Sequence, residues 1–156
     1  MTYTITGTIG IDLSGVSSTI SDTLGNSYDG NDGSKWVFVQ ANGAILANNY
    51  VCIDESFQAV KGTKALVDDG HDVGFAQVAF ADNQYGYVMV KGRPQVKTLS
   101  LCAADVALYT TATAGVLDDT ATTAQTKING VVLVTANGTG TGDSTAIASW
   151  PRSTSL

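Results

Sequence analysis

From Lys35 onward, short apolar runs recur at intervals of about ten residues, each closed by turn-forming residues, and this spacing limits the fold more than any other feature of the chain. Trp36-Val37-Phe38-Val39-Gln40-Ala41 is the first strong run, and Asn42-Gly43 after it supplies a pair that tolerates positive φ, the signature of a tight hairpin turn. Tyr50 to Ile53, Gly74 to Phe80, Tyr85 to Lys91, Val96 to Leu101, Val116-Leu117, Val131 to Val134 and Ile147 to Trp150 continue the series. The short Asp82-Asn83-Gln84 link predicts that the third and fourth of these pair as a hairpin, and Gly92-Arg93-Pro94 closes the latter. No segment places apolar residues at i, i+3, i+4 and i+7 over eleven residues. The one stretch with helical character is Leu101 to Ala107, with room for one or two turns. The expected fold is therefore all-β: a small β-barrel or sandwich-like body with an extended N-terminal arm and at most one or two short helices.

Three segments follow from the pattern. Residues 1–34 are rich in Thr, Ser, Gly, Asn and Asp, and their apolar residues Tyr3, Ile5, Ile9, Ile11 and Leu13 alternate as in a strand. Gly7, Gly10 and Gly15 leave that strand little bulk to bury, which predicts an arm ordered mainly by pairing with a partner. Ser27 to Ser34 is turn chemistry and separates the arm from a body at 35–150. Thr120 to Gln125 and Asn137 to Ser144 read as exposed loops, and residues 151–156 as a short tail. At 156 residues, a single domain buries roughly two thirds of its unfolded surface and needs no disulfide or metal to hold it.

Charge narrows the function classes. Lys and Arg number 8 against 14 Asp and Glu, a net charge of −6, which removes the phosphate attraction on which nucleic-acid affinity rests. Only 14% of residues are charged, so the surface is mostly neutral and small. No basic segment followed by an apolar run is present, which predicts neither an export signal nor a membrane helix, and synthesis and folding in a cytosol. Cys52 and Cys102 match no Cys-x-x-Cys spacing and read as small buried apolar residues, with a disulfide between them as the other reading.

Each candidate for chemistry has a simpler structural reading. His71, the sole histidine, lies in Asp68-Asp69-Gly70-His71-Asp72, where it could serve as a metal ligand or a general base, but Asp-Gly favours a polar turn. No Gly-x-Ser-x-Gly element offers a nucleophile. Asp29 to Gly33 alternates oxygen donors as calcium loops do but lacks the later glycine and acid, with Gln40 where the latter belongs. Gly138-Thr139-Gly140-Thr141-Gly142 resembles a phosphate loop without its lysine. The acid pairs Asp54-Glu55, Asp68-Asp69 and Asp118-Asp119 read as solvated strand ends rather than catalytic carboxylates. Trp36, Phe38, Phe57, Phe75, Phe80, Tyr85 and Tyr87 fall on strand alternation and read as core or subunit contact. The expectation is no enzyme and no cofactor.

Asp32 to Ala41, Gly43-Ala44-Ile45, Gly74-Phe75-Ala76-Gln77 and Ala103 to Asp119 together resemble the head proteins of tailed bacteriophages. The last stretch is similar to the part of capsid decoration, or cement, proteins in which a Leu-Tyr pair leads through a Thr/Ala turn into a short strand. The resemblance spans residues 32 to about 135. It implies a virion protein made in the host cytoplasm that docks on the capsid exterior, commonly as a homotrimer, and clamps major capsid protein subunits without nucleic acid or membrane. The arm residues Tyr3, Ile5, Ile9, Ile11 and Leu13 are the candidate capsid contact. The rival class is a tail- or fibre-associated carbohydrate-binding β-module, with Trp36, Tyr85, Tyr87 and Trp150 as stacking platforms.

Overall fold

The computed structural model describes residues 11–153. It is nearly all β, as the run spacing predicts. The described strands are β1 (Val16–Ser17), β2 (Ser27–Asp29), β3 (Lys35–Ala41), β4 (Tyr50–Ile53) and β5 (Gln58–Lys61), followed by the short helix α1 (Lys64–Asp68). After it come β6 (Asp72–Phe75), β7 (Tyr85–Gly92), β8 (Gln95–Thr98), β9 (Ala107–Thr110), β10 (Leu117–Asp118), β11 (Lys127–Leu133) and β12 (Gly142–Ser153).

The pairings close into two five-stranded rings. In the first, β3 runs antiparallel to β7, with Phe38 opposite Tyr87, and parallel to β5; β5 pairs with β4, β4 with β6, and β6 returns to β7 through Phe75 and Met89. The second links β12, β8, β10, β9 and β11 and closes through β11 and β12. Ala148 and Ser149 of β12 pair with Gly92 and Lys91 of β7, joining the rings. Closure satisfies both sides of the ring strands with backbone hydrogen bonds.

Two apolar clusters follow from the period-2 alternation. Val37, Val39, Val51, Ile53, Val88 and Val90 fill the first, with Ile45 and Phe80 bridged across its end. The second gathers Val96, Leu108, Leu117, Ile128, Val131 and Leu133, and it also receives Tyr50, Cys52, Val73 and Phe75. Strands β4 and β6 are thus buried on both faces, which is why Tyr50-Val51-Cys52-Ile53 reads as an unbroken apolar run. Asn49, also buried, donates its side-chain amide to the Gly115 carbonyl at 3.0 Å and helps bind the rings.

The described part of the arm, residues 11–34, lies along the first ring. β1 pairs with the start of β7, and β2 pairs with β3. Beneath them Phe38 and Tyr87 pack at 5.0 Å between ring centroids, Tyr28 meets Tyr87 edge-on at 5.8 Å, and the Tyr87 hydroxyl donates to Asp22 at 3.1 Å. Desolvation pushes the Asp22 carboxyl up, but hydrogen bonds from Tyr28, Thr23, Asn26 and Tyr87 outweigh it and hold the group below the ordinary aspartate range.

Several local expectations are corrected. Asn42-Gly43 makes a bend, with Gly43 at φ 96°, but β3 and β4 do not form a hairpin, because the neighbours of β3 come from elsewhere in the chain. The run Gly74 to Phe80 leaves the sheet after Phe75, so β6 and β7 pair across a connection longer than Asp82-Asn83-Gln84. Leu101 to Ala107 is not helical: Leu101 and Asp105 take φ of 66° and 59°, which a right-handed helix cannot accommodate. The helix falls instead at Lys64–Asp68, with Thr63 as N-cap. Its end is closed by Gly70 at φ 85° and by Gly70 and His71 amides donating to Val67 and Leu66 carbonyls. Five residues are too few to reveal a helical period. Ser27–Asp29 is a strand rather than a turn, and β12 begins inside the Asn137 to Ser144 loop and runs through the first residues of the segment read as a tail.

Gly62 stands where β5 passes into α1 against the buried ring of Tyr50; a Cβ there would lie 1.8 Å from that ring. Since Tyr50 is packed between the rings and cannot retreat, we predict that Gly62→Ala lowers stability by about 3 kcal/mol, read as a drop in urea midpoint at unchanged m-value. A midpoint equal to the parent's would mean that the inter-ring packing is looser than described.

Candidate functional site

Two aromatic residues hold backbone conformations that bulky side chains rarely adopt, and both line the same cleft. Phe57 has φ 58° and Trp150 φ 49°. Such geometry costs on the order of 1–2 kcal/mol per residue and persists where the surroundings enforce it. For Phe57 the enforcing element is the turn before β5, where the Asp54 carboxylate accepts from the Ser56 and Gln58 amides at 2.9 and 2.8 Å. For Trp150 it is a bulge. The β11–β12 register passes from Val131 opposite Ala148 to Asn129 opposite Arg152, so Ser149, Trp150 and Pro151 together face Gly130. Gly130 sits at φ 78°, and a Cβ on it would lie 2.7 Å from the Ser149 carbonyl oxygen. The bulge takes Trp150 out of strand alternation and leaves it 46% exposed at the cleft.

The cleft encloses about 160 Å³. Its floor is apolar, with Ile53, Val73 and Val90, and its walls are Phe57, Trp150 and Pro151. Gly25, at φ 84°, makes room for the Phe57 ring, since a Cβ there would come within 2.4 Å of it. At the rim Arg152 Nε lies 3.6 Å from Asp72 Oδ1, both side chains being well exposed. Ile53, Phe57 and Asp72 also border an adjoining open groove that includes Asp54, Glu55, Asp69 and His71.

The structure therefore brings His71 beside the Asp54-Glu55 pair, but most of these groups have structural partners. His71 Nδ1 lies 3.0 Å from the Leu66 carbonyl and helps close α1. Asp68 pairs with Lys64 and accepts from the Thr126 hydroxyl. Asp29 pairs with Lys35 at 3.2 Å, and Asp32 accepts from Ser34, whose hydroxyl in turn accepts from the Trp36 indole at 2.7 Å. The glycine loop at 138–142 is organised by Asn137, whose amide donates to the Leu99 carbonyl at 2.6 Å and to that of Gly140 at 3.0 Å.

Among the described residues, Cys102, Asp118 and Asp119 alone place three ligand-type atoms within 4.8 Å of one another. The Cys102 thiol donates to Asp118 at 3.3 Å, and Asp119 accepts from the Ala103 amide at 2.8 Å. Burial pushes the Cys102 thiol up to about 11 and that of Cys52 to about 12, so both stay protonated near neutrality. Both are buried free thiols, in line with the apolar reading.

Of the candidate arm residues, Tyr3, Ile5 and Ile9 lie outside the described residues. Ile11 and Leu13 are half-buried and precede β1 without joining a strand. Ile11 borders a second cleft with Phe38, Tyr85 and Tyr87. Of the four aromatics considered as stacking platforms, Trp150 alone reaches the apolar cleft. Its partner Phe57, expected from alternation in the core or at a subunit contact, lies at this cleft instead, and an isolated glycine inside the strand pattern at Gly130 is the sequence signal that points to the bulge. No helix among the described residues is long and apolar enough to cross a membrane. No family model matches the chain, and no curated protein matches it either.

We predict that Gly130→Ala costs about 2 kcal/mol and, with Trp36→Phe so that Trp150 alone emits, shifts the emission maximum as the bulge rearranges. Unchanged emission and stability would rule out the bulge as the element that sets Trp150. The thiols provide a second check: at mildly alkaline pH neither Cys52 nor Cys102 should react with a disulfide reagent until the protein unfolds, and a fast-reacting thiol in the native state would contradict their burial.

Proposed function

We propose that the chain is a structural virion protein of a tailed phage, made in the host cytoplasm, which binds the outer surface of the assembled head as a homotrimer and holds neighbouring major capsid subunits together. It carries out no catalytic step and contacts neither nucleic acid nor membrane. The observation that carries this reading is an exposed apolar pair on the outer face of the second ring: Val132 and Ile147 lie directly opposite each other on β11 and β12, 44% and 46% exposed. Ile147 borders a broad groove with Lys91, Arg93 and Asp32. Apolar surface with a polar rim is characteristic of a docking face. The resemblance of residues 32 to 135 to decoration proteins and the low charge of the surface support the same reading.

The mechanism is linkage. A protein that binds the assembled lattice but not free subunits stabilises the lattice by about 2.7 kcal/mol per site at a hundredfold excess over its dissociation constant. Repeated over many sites, a modest contact suffices.

The test uses purified expanded heads lacking the protein. The full chain should co-sediment with them and raise the temperature at which they release DNA, while Val132→Asp with Ile147→Asp, both at exposed positions, should fold normally and bind at least about tenfold more weakly. Failure to co-sediment would sink the reading, as would density for the chain on the tail or inside the shell in a map of the virion.

A further inference from the structure

We infer that the cleft between Phe57 and Trp150 is a binding site for a neutral saccharide, taking one pyranose ring with the rest of the glycan running into the adjoining groove. This inference stands apart from the capsid reading and would hold on a virion surface or elsewhere.

Four observations carry it. The first is size: about 160 Å³, close to the roughly 150 Å³ of an apolar cavity that accommodates benzene, takes one six-membered ring on its floor and leaves the hydroxyls and exocyclic carbon of a pyranose at the open mouth. The second is the character of the walls. A pyranose has C–H faces that pack on aromatic rings and an equator of hydroxyls that must keep hydrogen bonds. The cleft supplies two half-exposed aromatics over an aliphatic floor, and at its mouth the planar polar groups of Asp72 and Arg152. The third is backbone strain. Phe57 and Trp150 are the two aromatic residues at positive φ among those described, one comes from the turn before β5 of the first ring and the other from β12 of the second, and they converge on one cleft. Strain held at two points of a single concave site is the pattern of preorganised binding, in which the walls are set before the ligand arrives.

The fourth is charge, which selects among glycans. Asp54, Glu55, Asp69 and Asp72 border the cleft and groove against Arg152 and the single His71. An acidic margin of this kind repels sulfated, phosphorylated or sialylated sugars and leaves hydroxyl-rich neutral ones. The same carboxylates offer acceptors for sugar hydroxyls along the groove. A planar apolar ligand with no hydroxyls would use the floor and leave this rim without a role.

The experiment titrates the full chain, carrying Trp36→Phe so that Trp150 is the sole indole, with neutral trisaccharides of glucose, mannose, galactose and N-acetylglucosamine, and with a sulfated trisaccharide as the charged counterpart. The expected result is a saturable change in Trp150 fluorescence with at least one neutral sugar and none with the sulfated one. Trp150→Ala, followed by calorimetry, should weaken that binding about tenfold or more. Phe57→Gly should do the same while keeping the fold, because glycine adopts φ 58° without strain. Absence of saturable binding across the neutral panel overturns the proposal, as does binding that both variants retain or a preference for the sulfated sugar. If Trp150→Ala abolishes attachment to heads and no sugar competes, the cleft holds a capsid side chain and the saccharide assignment falls.

Discussion

One strand, β12, exchanges backbone hydrogen bonds with three others, and the second ring and its junction with the first depend on it. Its first residues pair with β8, its middle and end with β11, and Ala148 and Ser149 reach across to β7. A straight strand has two edges and can serve two neighbours along its length. β12 serves three because it is twelve residues long and β8 and β7 follow one another along one of its edges, in a single register from Gly142 opposite Thr98 to Ser149 opposite Lys91, while β11 takes the other edge. Turning Trp150 towards the cleft arises on the β11 edge, at the bulge where Gly130 permits an approach that any Cβ would block.

The rings share more than a strand. Because β4 and β6 bury both faces, the apolar cluster of the second ring includes side chains from the outside of the first, and the two cannot be separated without exposing Tyr50, Cys52, Val73 and Phe75. Such a body is suited to a surface function. Its interior is committed to packing, its carboxylates are largely engaged in turns and ion pairs, and the apolar side chains it leaves exposed include the Val132–Ile147 pair on one face and Phe57 and Trp150 at the cleft.

The places where the fold departs from the local sequence pattern have a common cause. Asn42-Gly43 has hairpin chemistry and Gly43 does take positive φ, yet the hairpin is absent because β3 finds its partners in β7, β5 and β2. Leu101 to Ala107 has helix-forming residues, and tertiary bonds to Gly138 and Leu133 hold it in turns instead. Turn residues state that the chain can bend; they do not state which strand lies beside it afterwards.

What the residues determine by themselves is the class of fold and most of its apolar runs, through their ten-residue spacing, together with a pair of cysteines that behave as apolar side chains. Alternation and turn chemistry are local properties, so they are legible in one dimension. Ring closure, the register of β11 on β12 and the cleft are not, because they depend on residues far apart in the chain meeting at particular offsets. Phe57 and Trp150 stand 93 positions apart, each unremarkable in its own run, and only the bulge opposite Gly130 and the space left by Gly25 make them two walls of one site. Hydrogen-bond register between distant strands is decided by the sum of packing across both rings, and no short segment carries that sum.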